Sequence, residues 1–470
     1  MKHEDRRPQG HPVVCIQGLG FVGTAMAIAT AIAKNSDQSP CFNVIGIDRP
    51  TAEGLNKVDA INRGILPFDT SDGAIIRALQ DARRAGNIAA TTDAKVFEQA
   101  AVVIVDIPFD VVYLEKKTTL ALENFRIGLR TIGKYIRPDT LLLIETTVPP
   151  GACEKMVVPE IEDSLQSRGH PKDSVHVAYS YERVMPGPQY LNSIINFWRV
   201  YAGYTPEAAD RCRDFLSKII NTEKYPLTRL NSMRAAETCK IIENSYRATT
   251  IAMMEEWRHF AEAIGIDLFE ITSAIRLRPT HSNIREPGFG VGGYCLTKDP
   301  LFAKISADHF FHLPDLKFPF CESAVKVNGQ MPLSSLNTLE KLLGGTLKDK
   351  TILIMGVSYS SEVSDTRKSP SETFVRHARD RGATVICHDP YVKYWSELQM
   401  ELNPELPPAN DLDCIVLAVG HQTYRDFNFS TWLKKSGPLI LDTNNVLSSA
   451  QVAQLKKIGS RIYSVGRGII

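Results

Sequence analysis

The 470-residue sequence predicts an α/β protein with two doubly wound, Rossmann-like domains, joined by a central helical region that carries a long helix. Three observations predict it. Near the start, an apolar run at Val13–Gln17 enters a G-x-G-x-x-G turn and continues into the Ala-rich segment Thr24–Ala33. From about Ser232 to Ile275 the pattern turns helical, with no Gly or Pro between Ala235 and Trp257. Beyond Thr351, short apolar runs alternate with helical segments a second time, now without a glycine fingerprint. The expected domains are 1–225 (dinucleotide-binding), 226–330 (central, helical) and 331–470 (second Rossmann-like), the last boundary set by a polar break at Asn328–Pro332.

Composition narrows the class. An apolar content of 43% supports an ample core, and 470 residues suit two or three domains. A net charge of +1 and a pI near 7.6 argue against nucleic-acid and membrane-surface partners. No apolar run approaches the ~18 residues of a spanning helix. The polar start lacks the apolar centre of a signal peptide, so a cytoplasmic location is expected. The nine cysteines form no Cys-x-x-Cys pair and the eleven histidines no His-x-x-x-His spacing, which fits reduced thiols and predicts no metal site.

In the first domain each element has a reason. Gly18 makes the turn, Gly20 lets a pyrophosphate approach, and Gly23 lets the helix pack on the strand, with Phe21 and Val22 at the helix start. The second strand, Phe42–Asp48, ends in an acid suited to the ribose hydroxyls of NAD and hostile to the extra phosphate of NADP. Asp48 lies further from the glycines than usual because Asn35–Pro40 reads as an inserted loop. Ala101–Pro108 and Thr140–Glu145 read as buried parallel strands, the latter delivering the hydroxyls of Thr146 and Thr147 to the ligand-binding edge or to a helix cap. Val175–Tyr179 leads into Glu182 and Arg183.

The central region holds two features. Lys240, Asn244 and Arg247 follow i, i+4, i+7 spacing and share one helical face, which suits either solvent or a cleft. The length of this helix also makes it a candidate dimerisation spine. Further on, Arg276, Arg278, His281 and Arg285 precede Gly288-Phe289-Gly290-Val-Gly292-Gly293-Tyr-Cys295, with Lys298 and Asp299 directly behind. Four glycines in six residues permit close backbone approach to a ligand, and a cysteine beside a cation is a candidate nucleophile. In isolation the same loop also reads as a Gly-rich turn with a structural cysteine.

These motifs together resemble the UDP-glucose/GDP-mannose dehydrogenase family. The resemblance rests on Gly18–Gly23, Thr147-Val-Pro-Pro-Gly151, Glu182, Lys240-x-x-x-Asn244, Gly292-Gly-Tyr-Cys295-x-x-Lys298-Asp299 and Asp365-Thr-Arg367. Glu182-Arg-Val-x-Pro-Gly187 and Glu243-Asn-x-x-Arg247-Ala lean to the branch acting on UDP-N-acetylhexosamines, whereas Lys298-Asp299 resembles the UDP-glucose branch. The resemblance implies a four-electron oxidation of a sugar C6 alcohol to a carboxylate with NAD, for polysaccharide precursors, in a homodimer or higher homo-oligomer. It implies Cys295 as nucleophile through a thiohemiacetal and thioester, and Lys240 and Asn244 at the oxyanion. Asp299, Glu182 and Thr147 would serve water and protons. Lys298 and Arg367, with Gly18, Gly20, Phe21, Val22, Gly23, Asp48 and Thr147, would meet the cofactor. Glu182, Arg183, Lys240, Asn244, Arg247, Gly288, Phe289, Gly290, Gly292 and Gly293 would meet the sugar nucleotide, whose nucleotide half belongs to the C-terminal domain.

Two departures stand out. Ser360 occupies a place where the family usually has a substrate-binding Lys, and Asn444 one where it tends to have Arg. A non-catalytic nucleotide-sugar-binding relative and a simple two-electron NAD dehydrogenase are the alternatives, and UDP-glucose and GDP-mannose the alternative substrates.

Overall fold

The computed structural model describes residues 10–114, 117–433 and 437–470. The chain divides into two compact units, Met1–Ile242 with Phe302–Lys317, and Glu243–Leu301 with Phe318–Ile470. The expected middle segment, 226–330, is divided between them.

The first unit is built on an eight-stranded sheet. Strands Val13–Gln17, Asn43–Ile47, Ile88–Thr91, Ala100–Val105, Leu141–Ile144 and His176–Tyr179 are parallel, in the spatial order 3-2-1-4-5-6 of dinucleotide-binding sheets. Val200–Gly203 adds an antiparallel strand and Thr228–Arg229 closes the edge. The helix Phe21–Ile32 is buried continuously from Gly23 to Ala31, which explains its run of alanines: small side chains let a helix lie close to a sheet on one side and to other helices on the rest. Three strands of this sheet escape the sequence pattern. Ile88–Thr91 is short and Ala-rich, and Val200–Gly203 and Thr228–Arg229 lie outside the βαβ alternation. The inserted loop is present, its ends drawn together where Lys34 bridges Pro40.

The second unit carries a six-stranded sheet. Its strands Thr351–Met355, Thr384–His388, Cys414–Leu417, Leu439–Asp442 and Ile462–Ser464 are parallel in the order 2-1-3-4-5, with Gly468–Ile469 antiparallel at one edge. This is the other common doubly wound order, and it places a topological switch point between its first and third strands.

The helical stretch expected from about Ser232 to Ile275 is present as two helices: Gly265, at φ +74°, ends Met233–Ile264, and Asp267 caps Leu268–Arg276 through the amides of Phe269 and Glu270. One helical expectation needs correction. The expected break at Asn328–Pro332 lies inside another helix, Pro319–Leu342. Pro332 removes only one donor from that helix, and buried Asn328 donates to the carbonyl of Ala248 at 3.0 Å, so its polarity serves the interior and not a linker.

Candidate active site: a dinucleotide turn and a cysteine loop

In the first unit the glycine turn fits a dinucleotide. Gly18 adopts φ +101°, and a Cβ there would stand 2.4 Å from the carbonyl oxygen of Asp106. A Cβ on Gly23 would fall 1.9 Å from the carbonyl oxygen of Gly18. Gly20 faces open space and precedes a helix with no side-chain cap and no acid in its first turn. Two glycines are therefore demanded by packing, and the third leaves bare amides facing outward, as a diphosphate requires. Asp48 accepts from the amide of Leu19 at 3.1 Å and from that of Arg49 at 2.7 Å, and keeps its side chain 12% exposed for a ribose. Phe21 opens the helix, stacked on Phe68 at 4.4 Å, with Val22 following.

The carboxyl ends of the neighbouring strands separate the two threonines. Thr146 donates to the carbonyls of Val105 (3.0 Å) and Ile107 (2.8 Å), whereas the hydroxyl of Thr147 makes no hydrogen bond among the described residues. Neither caps the next helix. That task falls to Glu237, which sequence reasoning missed: fully buried on the long helix, it accepts from the amides of Gly151 (2.5 Å) and Cys153 (2.8 Å). Burial pushes its carboxyl up to about 7, and those amides oppose the shift.

Lys240 is buried, donates to the carbonyl of Glu182 at 2.8 Å, and lies 3.7 Å from Glu182 Oε1 and 5.2 Å above the ring of Tyr181. Glu182 also accepts from the amide of Val184. Arg183 donates to the Tyr181 hydroxyl at 3.0 Å and to the Trp198 carbonyl. A second unforeseen group lies at the ends of the fourth and fifth strands. Burial first, then Glu145, pushes the Asp106 carboxyl well above the usual carboxylate range, while Glu145 is paired with buried Arg199. A shift in that direction lessens the negative charge near the turn, which favours a diphosphate there.

In the second unit the glycine loop is fixed by protein contacts. A Cβ on Gly292 would stand 2.7 Å from Tyr359 Cβ and 2.8 Å from Pro370 Cδ, and one on Gly293, at φ +81°, would stand 3.1 Å from the Tyr359 ring. The Gly293 amide donates to the carbonyl of Arg367 at 3.1 Å. Gly288 and Phe289 approach Asn444, whose Oδ1 accepts from the Phe289 amide at 3.2 Å, and Gly290 faces Pro370 and Pro332. The glycines thus allow this backbone to close on the 359–370 segment, where the sequence suggested a flexible cradle.

Cys295 emerges from that loop with an exposed side chain. Its carbonyl accepts from the amides of Lys298 (3.1 Å) and Asp299 (2.9 Å), closing a turn that buries both. Asp299 is fully buried between two donors, Lys298 Nζ on Oδ1 at 2.9 Å and Asn244 Nδ2 on Oδ2 at 2.7 Å. Lys298, expected at the cofactor, is 1% exposed and occupied by Asp299 and by the face of Tyr294 at 4.4 Å. Arg367 grips Asp365 through Nε (2.9 Å) and Nη2 (2.6 Å) and leaves part of its guanidinium exposed, and Arg247 is exposed on the long helix.

At the switch point of the second sheet a pocket of about 240 Å³ opens at the carboxyl ends of the strands. Ser358–Ser361 follow the first strand, Ala418–Gly420 the third and Asn444 the fourth, with Phe289, Gly290, Pro370, Ser371 and Arg425 completing the wall.

A dinucleotide turn in one unit, and a second nucleotide-type sheet with a cysteine loop in the other, define an NAD-dependent oxidoreductase with two nucleotide sites. Comparison with known proteins agrees. Models of the UDP-glucose/GDP-mannose dehydrogenase family match its NAD-binding domain at residues 13–220, its central domain at 234–330 and its UDP-binding domain at 353–449. The chain is 28% identical to a UDP-N-acetyl-D-mannosamine dehydrogenase of Methanocaldococcus jannaschii over 463 residues, 97% of this chain and 96% of that one. It is 26% identical to an NDP-N-acetyl-D-galactosaminuronic acid dehydrogenase of Ralstonia nicotianae, covering 94% and 97% of the two chains. Among solved structures it resembles an NDP-N-acetyl-D-galactosaminuronic acid dehydrogenase of Methanosarcina mazei, with a TM-score of 0.76, 25% identity, and 98% and 96% coverage. The chain belongs to the UDP-glucose/GDP-mannose dehydrogenase family and is an NAD-dependent nucleotide-sugar dehydrogenase.

Proposed function

We propose that the protein oxidises the C6 alcohol of a UDP-N-acetylhexosamine to the carboxylate in two successive two-electron steps, yielding a uronate precursor for polysaccharide. The observation that carries this reading is an exposed thiol, Cys295, placed directly before a buried Lys298–Asp299–Asn244 network. A two-electron alcohol dehydrogenase has no use for such a nucleophile. The names of the curated relatives support the N-acetylhexosamine, and the UDP-binding domain supports the uridine nucleotide.

NAD, when bound at Gly18–Gly23 and Asp48, accepts the hydride of each oxidation, two molecules serving in turn. The chain's own residues do the rest. Removal of the hydroxyl proton and the C6 hydride gives the aldehyde, and the Cys295 thiolate adds to it to form a thiohemiacetal. Loss of a second hydride from C6, with the proton of the thiohemiacetal hydroxyl, gives a thioester, and water then releases the carboxylate and restores the thiol. Lys240 and Asn244 stabilise the oxyanions by charge and hydrogen bond. Asp299, Glu182 and Thr147 orient water and move protons, Thr147 having the uncommitted hydroxyl of its pair. Lys298 holds Asp299 in place, Arg367 meets the cofactor, and Arg183, Arg247 and the loop Gly288–Gly293 meet the sugar nucleotide.

Cys295→Ala should bind the sugar nucleotide normally and form no uronate. Uronate formation at the wild-type rate by this variant would overturn the proposal.

A homodimer is the proposed assembly, in a cytoplasmic enzyme whose nine cysteines form no disulfide. Tyr246, Met253, Trp257, Phe260 and Ile264 of the long helix are each 42–54% exposed, and their 7-4-3-4 spacing is that of a helix–helix seam. Trp257→Glu should shift the light-scattering mass from two chains to one; an unchanged mass would remove this face from the interface.

A further inference from the structure

The pocket at the second switch point has walls rich in hydroxyls, and its lining carries one charged group, Arg425. Asn444 supplies no charge, and its amide is committed on both sides: Oδ1 takes the Phe289 amide at 3.2 Å and Nδ2 donates to the Ala418 carbonyl. Three other cations of this unit are engaged with carboxylates. Arg467 holds Asp267 at 2.7 Å, Arg276 pairs with Glu286, and Arg367 holds Asp365. Arg425 is different. It donates through Nη1 to the Asn445 carbonyl at 3.1 Å and makes no ion pair with a carboxylate among the described residues. Its Nη2 stands 2.8 Å from where a Cβ on Gly420 would be, so the missing side chain of Gly420 is what lets the guanidinium lie across the pocket wall.

We infer that Arg425 is the specificity-determining anion contact for the diphosphate of the sugar nucleotide, resting on the reading that this sheet takes the substrate's nucleotide. A guanidinium tethered by one nitrogen keeps further N–H groups for a planar, two-pronged grip on phosphate oxygens. The neutral hydroxyl wall formed by Ser358, Ser360 and Ser361 suits the ribose and base and leaves the charge recognition to this residue. Ser360 lines the same pocket, so a lysine placed there would return a cation to it.

The test is calorimetric titration of UDP into the wild type, Arg425→Gln, Arg425→Lys and the double variant Ser360→Lys/Arg425→Gln, with melting temperatures alongside. UDP should bind about 10- to 100-fold more weakly to Arg425→Gln, the range expected for losing a charge-assisted hydrogen bond. Arg425→Lys should lose less, and the double variant should regain most of the affinity, with NAD affinity unchanged throughout. Equal UDP affinity in the wild type and Arg425→Gln overturns the inference, as does a loss that the new lysine fails to restore. A wild type that binds UDP but oxidises no nucleotide sugar would count against the proposed reaction alone, because the UDP titration still decides the role of Arg425.

Discussion

The two doubly wound sheets begin alike and diverge within a few residues. In each, the first strand ends in a glycine with a left-handed backbone, Gly18 at φ +101° and Gly356 at φ +102°. In each, a Cβ there would strike the segment following the next strand across the switch point, 2.4 Å from the Asp106 carbonyl oxygen in one and 2.4 Å from Val419 Cβ in the other. In each, an acid after the second strand grips the turn: Asp48 takes the amide of Leu19 at 3.1 Å, and Asp389 those of Val357 (2.8 Å) and Ser358 (3.1 Å). Asp48 stays partly exposed. Asp389 is buried and saturated, with the Tyr391 amide on Oδ1 at 2.9 Å and His421 Nε2 on Oδ2 at 3.2 Å. Because His421 Nδ1 accepts from the Glu362 amide at 3.0 Å, the ring proton sits on Nε2 and is donated to Asp389.

That difference turns a ribose acceptor into a structural clasp. After Gly18 the helix starts at once, on Gly20, with bare amides at its end; after Gly356 the chain runs through Tyr359 and Arg367 to a helix that begins only at Pro370. The intervening segment closes on the glycine loop and frames the pocket with Arg425. One scaffold has been set up for a dinucleotide and the other for a mononucleotide.

Substitutions at matched positions should separate the two sheets. The largest effect is expected from Gly18→Ala and Gly356→Ala, where left-handed strain and the close approach together cost at least ~2 kcal/mol. Both should lower the melting temperature, but Gly18→Ala should raise the KM for NAD and Gly356→Ala that for the sugar nucleotide. Exchange of those two phenotypes would refute the assignment of ligands to sheets. Next come the acids. Asp48→Ala should raise the KM for NAD about tenfold with little change in stability, the loss of one good hydrogen bond to a charged group. Asp389→Asn should leave that KM alone and destabilise the fold by a few kcal/mol, since it disrupts a buried charged network. A tenfold rise in the NAD KM of Asp389→Asn would break the comparison.

The smallest effect is a pH dependence confined to the first unit. Glu237 has its carboxyl pushed from 4.5 to about 7 by burial, so the folded chain holds this proton more tightly than the unfolded chain does. Its contribution is full below the unfolded value and is lost as pH rises through about 7, roughly 1 kcal/mol between pH 6 and pH 8. Glu237→Gln should flatten that part of the melting-temperature profile; a profile as steep as the wild type's would assign the slope to other groups.

The sequence made legible what local chemistry requires. Gly18, Gly20, Gly23 and Asp48 follow from the geometry of a dinucleotide turn, and each strand with an unbroken apolar run was readable from its period. What escaped depends on partners distant in sequence. Glu237 looks like any acid on a helix until its 84- and 86-residue reach to Cys153 and Gly151 is seen. Asn328–Pro332 has the composition of a linker but is helical because tertiary packing overrides propensity. Asn444 reads as a missing cation, whereas its amide ties the glycine loop to the second sheet. Asp389 could have been found, since an acid directly after the second strand mirrors Asp48.

The most direct test of a four-electron oxidation at Cys295 is the NADH yield per sugar nucleotide consumed. Limiting UDP-ManNAc, UDP-GlcNAc, UDP-GalNAc, UDP-glucose and GDP-mannose would each be supplied with excess NAD. Two NADH per molecule of a UDP-N-acetylhexosamine is the expected result and would name the sugar as well. One NADH per molecule would make the protein a two-electron dehydrogenase and leave its exposed cysteine without a role in the chemistry.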